Sequence, residues 1–269
     1  MGKIKYALLD TDFISKTHLI RKDENSKLID RIIQLPDYEF YCHAQIRTEL
    51  LRHNIAGSPE WLISQIDKGK VICFDDKTIL DELSAIVGQS APAIYAQMLK
   101  TACEAYRIGY FTEQFPIVAS LDYSAIDKTS FLNVLEQECI SLGADHNLGE
   151  LKSYVLLQFL NFSFGQQVYV FCSDDRNARN GIVSIGGARC ISVLSSFLRL
   201  KKECGMDKSE AEPYIQSYLD FLRRSNQTSF RIQNGPKSSQ IIRTPCGQAF
   251  DDLYAGKLEE LMNGNLKYC

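Results

Sequence analysis

Short apolar runs rich in branched and aromatic residues recur at IKYALL, YEFYC, KVICF and QVYVFC, with a weaker one at GIVSI. Each has the length of a buried strand, and stretches with apolar residues three and four apart separate them. This alternation predicts an α/β fold with a mainly parallel sheet covered by helices. After YEFYCHA, the run Ile46, Glu49, Leu50, His53, Asn54 has helical spacing, broken near Gly57, Ser58 and Pro59. After LGADHNLGE, residues Leu151, Tyr154, Val155, Leu156, Phe159 and Leu160 have the spacing of an amphipathic or buried helix. ARCISVLSSFLRLKKECG reads as a further helix, with cations in its last turn and Gly205 as its stop.

Two stretches read as additions to that core. Residues 75–140 are mostly helical in pattern and contain no convincing strand, so they predict a helical insertion. From about Ser225 onward the chain is rich in Ser, Gln, Asn, Gly and Pro, which predicts an extended arm ending in one small helix within AFDDLYAGKLEELMNG. The expected organisation is a domain over 1–224 carrying the insertion, then an extension over 225–269.

Composition narrows the class. At 269 residues, 45% hydrophobic and 23% charged, the chain can bury a full core, and no apolar run reaches the ~18 residues needed to cross a bilayer. Its first residues lack a secretory cleavage site. Nine cysteines stand singly, without a C-x-x-C pair, so a reducing cytoplasm is expected rather than a disulfide framework or a zinc site. A net charge of -3 excludes a general cationic coat but not local basic patches.

The chemistry lies in the acids. In open α/β sheets ligands bind beyond the carboxyl ends of the strands. Asp10 and Asp12 in LLDTDFIS follow the first strand, and Asp174 and Asp175 in VFCSDDRNAR follow a later one. Glu49 lies in the first turns of the helix after the second strand and Glu150 at the start of the helix opened by NLGE, and both helices begin at that same edge. Four carboxylates in one cleft would repel by about 4 kcal/mol per pair at ~4 Å and an effective dielectric near 20, so a cation is implied. An all-oxygen site suits Mg²⁺ or Mn²⁺, and such ions serve phosphodiester displacement. Each acid also has a plainer reading: Glu49 as a solvated surface residue, Glu150 as a helix N-terminal charge, Asp174 and Asp175 as caps. Asp10 has fewest structural uses, because a desolvated carboxylate after a buried strand is costly.

In order and flanking residues these segments resemble the PIN-domain nucleases. LLDTDFIS looks like the family's opening strand and acid, with Asp12 where Asn is usual. YCHAQIRTELL resembles the second strand and the helix that supplies a glutamate. NLGELKSYVLL resembles a subgroup in which Gly-Glu opens the helix, and VFCSDDRNARN resembles the last acidic element. The resemblance covers residues 3–54 and about 141–215. It implies a three-layer α/β/α sandwich, Mg²⁺ or Mn²⁺, and endonucleolytic cleavage, usually of RNA, in a toxin–antitoxin, defence or RNA-processing setting. It also leaves room for an inhibitory protein partner or a homo-oligomer. The implied metal cluster is Asp10, Glu49, Glu150 and Asp175, with Asp174 as the alternative to Asp175 and with Asp12 and Ser173 in support.

Two other classes compete. Haloacid-dehalogenase phosphatases also place a nucleophilic Asp two residues before a second Asp, but Glu49 and Glu150 would then have no role. A PIN-like binding module without catalysis is the other. For nucleic acid, Arg176, Arg179 and Arg189 flank the expected site, and Arg223, Arg224, Arg231, Lys237 and Arg243 lie in an acid-free stretch from Leu222 to Arg243, interrupted by Phe230. That stretch reads either as a substrate contact or as a solvated linker.

Overall fold

The computed structural model describes residues 3–52, 57–106, 109–142, 148–172, 188–222, 227–233, 239–259 and 266–268. Strand β1 (Lys5–Leu9) enters helix α1 (Thr11–Leu19), and a hairpin of β2 (Arg21–Asp23) and β3 (Ser26–Lys27) leads to α2 (Leu28–Ile32). Next come β4 (Tyr38–His43), α3 (Gln45–Arg52), α4 (Ser58–Asp67) and β5 (Val71–Phe74). Helices α5 (Asp76–Val87), α6 (Ala91–Tyr106), α7 (Phe111–Gln114), α8 (Pro116–Ser120), α9 (Lys128–Leu142) and α10 (Leu148–Phe164) follow. The chain then returns through β6 (Tyr169–Phe171) and β7 (Arg189–Ile191).

These strands build a five-stranded sheet in the order β5-β4-β1-β6-β7, parallel at every pairing. Its pleat divides the core in two. Ala7, Leu9, Phe40, Cys42, Phe171 and Ile191 pack on one side with α1, α2, α4 and the helix Val193–Cys204. Leu8, Tyr41, Val170 and Cys172 pack on the other with α5, α6, α9 and α10. A parallel sheet needs both faces covered, and near-continuous apolar runs such as KYALL are its signature. The result is a three-layer α/β/α sandwich, as the alternation of elements and the resemblance both led one to expect.

The fifth strand departs from expectation. GIVSI lies outside the described residues, and β7 comes from Arg189–Ile191, which the apolar spacing assigned to a helix. That helix starts only at Val193, because Ser192 accepts a hydrogen bond from the Ser195 amide at 3.1 Å and sets the N-cap. Its end is as read: Lys201 and Lys202 occupy the last turn, and Gly205 takes φ 71°.

Described residues within 75–140 are mostly helical and hold no strand, and Ile79, Tyr95, Leu99 and Phe131 share the core of the second sheet face. The tail needs a larger correction. Far from being an arm, it forms β8 (Gln227–Gln233), β9 (Ser239–Pro245) and β10 (Leu266–Tyr268), an antiparallel sheet in the order β10-β8-β9. Between β9 and β10, the helix Cys246–Tyr254 buries Cys246, Ala249, Phe250 and Leu253. Phe250 sits edge-on to Phe197 with ring centroids 5.1 Å apart. The spacing of those four apolar residues outweighs the polar composition around them.

Candidate functional site

Asp10 marks the point where β1 stops. Its amide donates to the Phe171 carbonyl at 3.0 Å, binding it to the end of β6, and its carbonyl accepts from Ile14 at 3.0 Å to open α1. Its side chain makes no capping hydrogen bond, although it occupies the N-cap position. A carboxylate only 9% exposed thus has no capping contact to set against its burial. Burial, then the charges of Glu150, Asp12 and Glu49, push the Asp10 carboxyl up to about 8, and the Thr11 amide offsets only part of this.

Glu49 is not a solvated helix residue: it is 5% exposed, on the face of α3 that also buries Ile46 and Leu50. Both its oxygens are held. The Thr11 hydroxyl donates to Oε2 at 2.7 Å, and the Gly149 amide donates to Oε1 at 2.7 Å. Gly149 leaves no room for a side chain, since a Cβ there would overlap the Glu49 carboxyl group. Glycine in LGE therefore lets α10 bring a backbone donor onto a buried acid.

One residue later, Glu150 is pushed above the usual carboxylate range by burial, then by Glu49 and Asp12, with Arg52 opposing. Asp12 itself is exposed in the first turn of α1. The strand has ended at Leu9, so Asp12 stands on a helical turn and not on a strand face. Its charge still acts on both Asp10 and Glu150. Tyr106, at the end of α6, adds a phenol raised by burial and then by Asp10 and Glu150. The insertion thus contributes a residue to the acidic cluster. Sequence reasoning missed Thr11, Arg52 and Tyr106. The Thr11 role had a faint signal in its place beside the acid, whereas nothing in MLKTACEAY marks Tyr106.

The structure therefore brings Asp10, Glu49 and Glu150 within electrostatic reach of one another at the carboxyl edge of the sheet. Among the described residues, no three acidic, histidine or cysteine side chains gather closely enough to form an ion-binding group by themselves. Ser173, Asp174, Asp175, Arg176, Arg179, Arg223 and Arg224 lie outside the described residues. Arg189 is not beside the acids along its strand: it opens β7 in register with Tyr169, two residues short of the edge reached by Phe171. Arg231 belongs to β8, in the separate antiparallel sheet.

A second polar cluster, unread in the sequence, sits at the same edge. His43 ends β4 and Asp76 opens α5. The Gln45 amide donates to His43 Nδ1 at 3.1 Å, so the ring proton is on Nε2 and donates to Asp76 Oδ1 at 3.2 Å. Tyr95 also donates to Asp76 Oδ1, and Lys152 Nζ donates to Oδ2 at 2.8 Å. Burial disfavours the Asp76 charge, but Lys152 and His43 outweigh it and hold the carboxyl well below its usual range. Burial likewise opposes the Lys152 charge, and Asp76 and Cys139 overcome it and raise the ammonium. This assembly ties α5, α6 and α10 to the sheet, with Lys152 two residues beyond Glu150.

No helix among the described residues is long and apolar enough to cross a membrane. Compared with protein families, with curated proteins and with solved structures, the chain matches none of them, so the reading of this site rests on its own residues.

Proposed function

We propose that this chain is a PIN-like, metal-dependent endonuclease that hydrolyses phosphodiester bonds, with single-stranded or looped RNA as its first substrate class. One observation carries the reading: Asp10 after β1, Glu49 on α3 and Glu150 on α10 converge beyond the carboxyl ends of parallel strands, two of them with raised carboxyl groups. Carboxylates that repel one another in this way are a poor structural device and a good cation site. The same convergence disfavours the phosphatase reading, in which Glu49 would have no task.

The donor set fits Mg²⁺ or Mn²⁺, which prefer oxygen ligands. Asp10 and Glu150 would be the direct holders, with Asp174 or Asp175 completing the set. Once bound, the ion supplies a water of lowered pKa and neutralises charge on the phosphate. The chain's own residues prepare that chemistry. Thr11 and Gly149 fix the two oxygens of Glu49 and so hold that acid in one place beside Asp10. Burial of Asp10 keeps bulk water from screening its carboxylate. The Arg52 cation opposes the rise of the Glu150 carboxyl.

Incubating the purified chain with labelled single-stranded RNA and DNA, with Mn²⁺ and with EDTA, tests the proposal. RNA cleavage that needs the ion is expected. Binding without cleavage would leave a non-catalytic module, and cleavage untouched by EDTA would end the metal assignment.

A further inference from the structure

Strands β4 and β5 pair in parallel at one end of the five-stranded sheet, and their register sets Cys42 directly opposite Cys73. Opposed residues of neighbouring parallel strands project to the same face, and both cysteines pack into the core shared with α1, α2 and α4. Neighbouring strands run about 4.8 Å apart, inside the ~4.4–6.8 Å between Cα atoms that a disulfide spans. Both are free thiols, and among the described strands no other two cysteines stand opposite each other in register.

The two thiols differ in the way a reactive pair requires. Cys42 is fully buried, whereas Cys73, on the edge strand, is half-buried. Cys42 donates a hydrogen bond to Cys73, and this contact, then burial, pushes the Cys42 thiol well above its usual range. The same hydrogen bond holds the Cys73 thiol below its usual range against partial burial, with the Arg47 guanidinium adding to the effect. A thiol that is partly accessible, favoured as the thiolate and set against a second thiol has the features of an oxidation-sensitive cysteine beside its resolving partner.

We propose that Cys42 and Cys73 form a redox modification site, which a hydroperoxide converts to a reversible cross-strand disulfide. The Cys73 thiolate attacks the terminal peroxide oxygen, the O–O bond breaks, and the hydroxide or alkoxide leaves with the proton that Cys73 had released. Cys73 is then a sulfenic acid. The Cys42 sulfur attacks the Cys73 sulfur, the S–S bond forms as the S–O bond breaks, and the departing hydroxide takes the Cys42 proton to become water. The two sulfurs together have lost two electrons and the peroxide has gained them. Exchange with an added dithiol restores both thiols. Only His43 and Ala44 separate Cys42 from Gln45, the first residue of α3, so the bond lies at the root of the helix that carries Glu49. The Ala44 amide also donates to the Phe74 carbonyl at 2.8 Å, which ties that junction to the residue after Cys73.

Peptide mapping of the full chain tests the proposal. The native protein is treated with hydrogen peroxide, its remaining thiols are blocked with N-ethylmaleimide, and its digest is read by mass spectrometry with and without dithiothreitol. The expected product is a linked peptide pair carrying Cys42 and Cys73, lighter by two hydrogens than the separate peptides and lost on reduction, from a protein whose circular dichroism is that of the untreated chain. Cys42→Ala removes the resolving thiol and should let dimedone trap the sulfenic acid on Cys73, while Cys73→Ser should leave Cys42 unoxidised. Linkage that forms only in urea, preferential linkage of either cysteine to a different one, or both thiols still free after peroxide would overturn the proposal. So would Cys73 oxidised to the sulfinic acid in wild type with Cys42 still free, or a folded Cys42→Ala with no dimedone adduct on Cys73. The wild-type map involves no substitution, so it decides the matter even where Cys42→Ala fails to fold.

Discussion

The Gly149 amide donates to Glu49 Oε1 at 2.7 Å, and a methyl group on Gly149 would overlap that same carboxyl group. Two residues 100 positions apart in sequence are thus locked at the point where α3 and α10 meet. Gly149→Ala must displace Glu49 or shift the start of α10. It is expected to cost on the order of 2 kcal/mol, from a lost charge-assisted hydrogen bond and a steric clash, and to reduce cleavage of RNA. Chemical denaturation with a parallel activity assay checks this, and wild-type values in both would mean the contact is unimportant.

Asp10 gives the chain a pH dependence opposite to that of most paired acids. Its carboxyl rises from an ordinary value of 3.8 to about 8 on folding. The folded state therefore holds the proton more tightly, and the resulting stability is complete below pH ~4 and is lost as pH rises towards 8. The slope should approach ~1.4 kcal/mol per pH unit at most, with Glu150 adding in the same direction. In EDTA the melting temperature should fall between pH 5 and pH 8, Asp10→Asn should flatten that fall, and Mn²⁺ should reverse it in wild type only. A flat profile for wild type would remove the repulsion on which the site is argued.

The Asp76–Lys152 pair behaves in the conventional way. Asp76 is lowered on folding, so its contribution is present above pH ~4 and lost as pH falls; Lys152 is raised, so its contribution is lost only as pH climbs beyond ~10.5. Because Lys152 is 2% exposed, Lys152→Met leaves Asp76, His43 and Tyr95 with a buried carboxylate and no cation. A loss of roughly 3–5 kcal/mol is expected, recovered in good part by adding Asp76→Leu. Urea denaturation of the single and double variants measures it, and a loss below 1 kcal/mol in the single variant would show the pair to be incidental.

Much of the architecture was legible because a parallel sheet advertises itself through continuous apolar runs: KYALL, YEFYC, VICF and YVF all form strands. Arg189–Ile191 was not, since three residues running into a periodic helix give no period of their own. The tail misled because composition speaks for loops while Phe250 and Leu253 speak for burial, and only spacing separates them. In the site, Asp10, Glu49 and Glu150 were legible as an acid ending a strand and two acids in the early turns of helices that follow strands or loops at the same edge. Thr11 and Gly149 act through contacts across the fold, as do Tyr106 and the Asp76 cluster, and no local pattern carries that information.

The packed tail changes what a truncation would do. Phe250 is 2% exposed and meets Phe197 and Tyr218, so removing the chain after Ser225 uncovers core instead of freeing an arm. Phe250→Ala alone should cost roughly 3–5 kcal/mol. Thermal melts of the full chain, this variant and the truncation should show all stability losses running with loss of tail packing. A truncated chain as stable as the parent would contradict the packing described for Cys246–Tyr254.

Asp10 and Asp12 stand two residues apart and should differ sharply in activity. Asp10 is buried where β1, β6 and α1 meet, with its backbone fixed by Phe171 and Ile14, so its carboxylate is held where a catalytic ligand must be. Asp12 is exposed on the first turn of α1, and its charge acts on Asp10 and Glu150. Asp10→Asn is expected to reduce Mn²⁺-dependent RNA cleavage at least ~100-fold, equivalent to about 2.7 kcal/mol of barrier, while the protein remains folded. Asp12→Asn removes one source of repulsion without removing a holder of the ion. It should keep a substantial part of the activity and lower the pH at which Asp10 titrates, an effect that carbon-detected NMR of the labelled carboxyl groups can follow. Equal losses in the two variants would mean that Asp12 touches the reacting centre directly, and a wild-type rate in Asp10→Asn would remove Asp10 from the chemistry altogether.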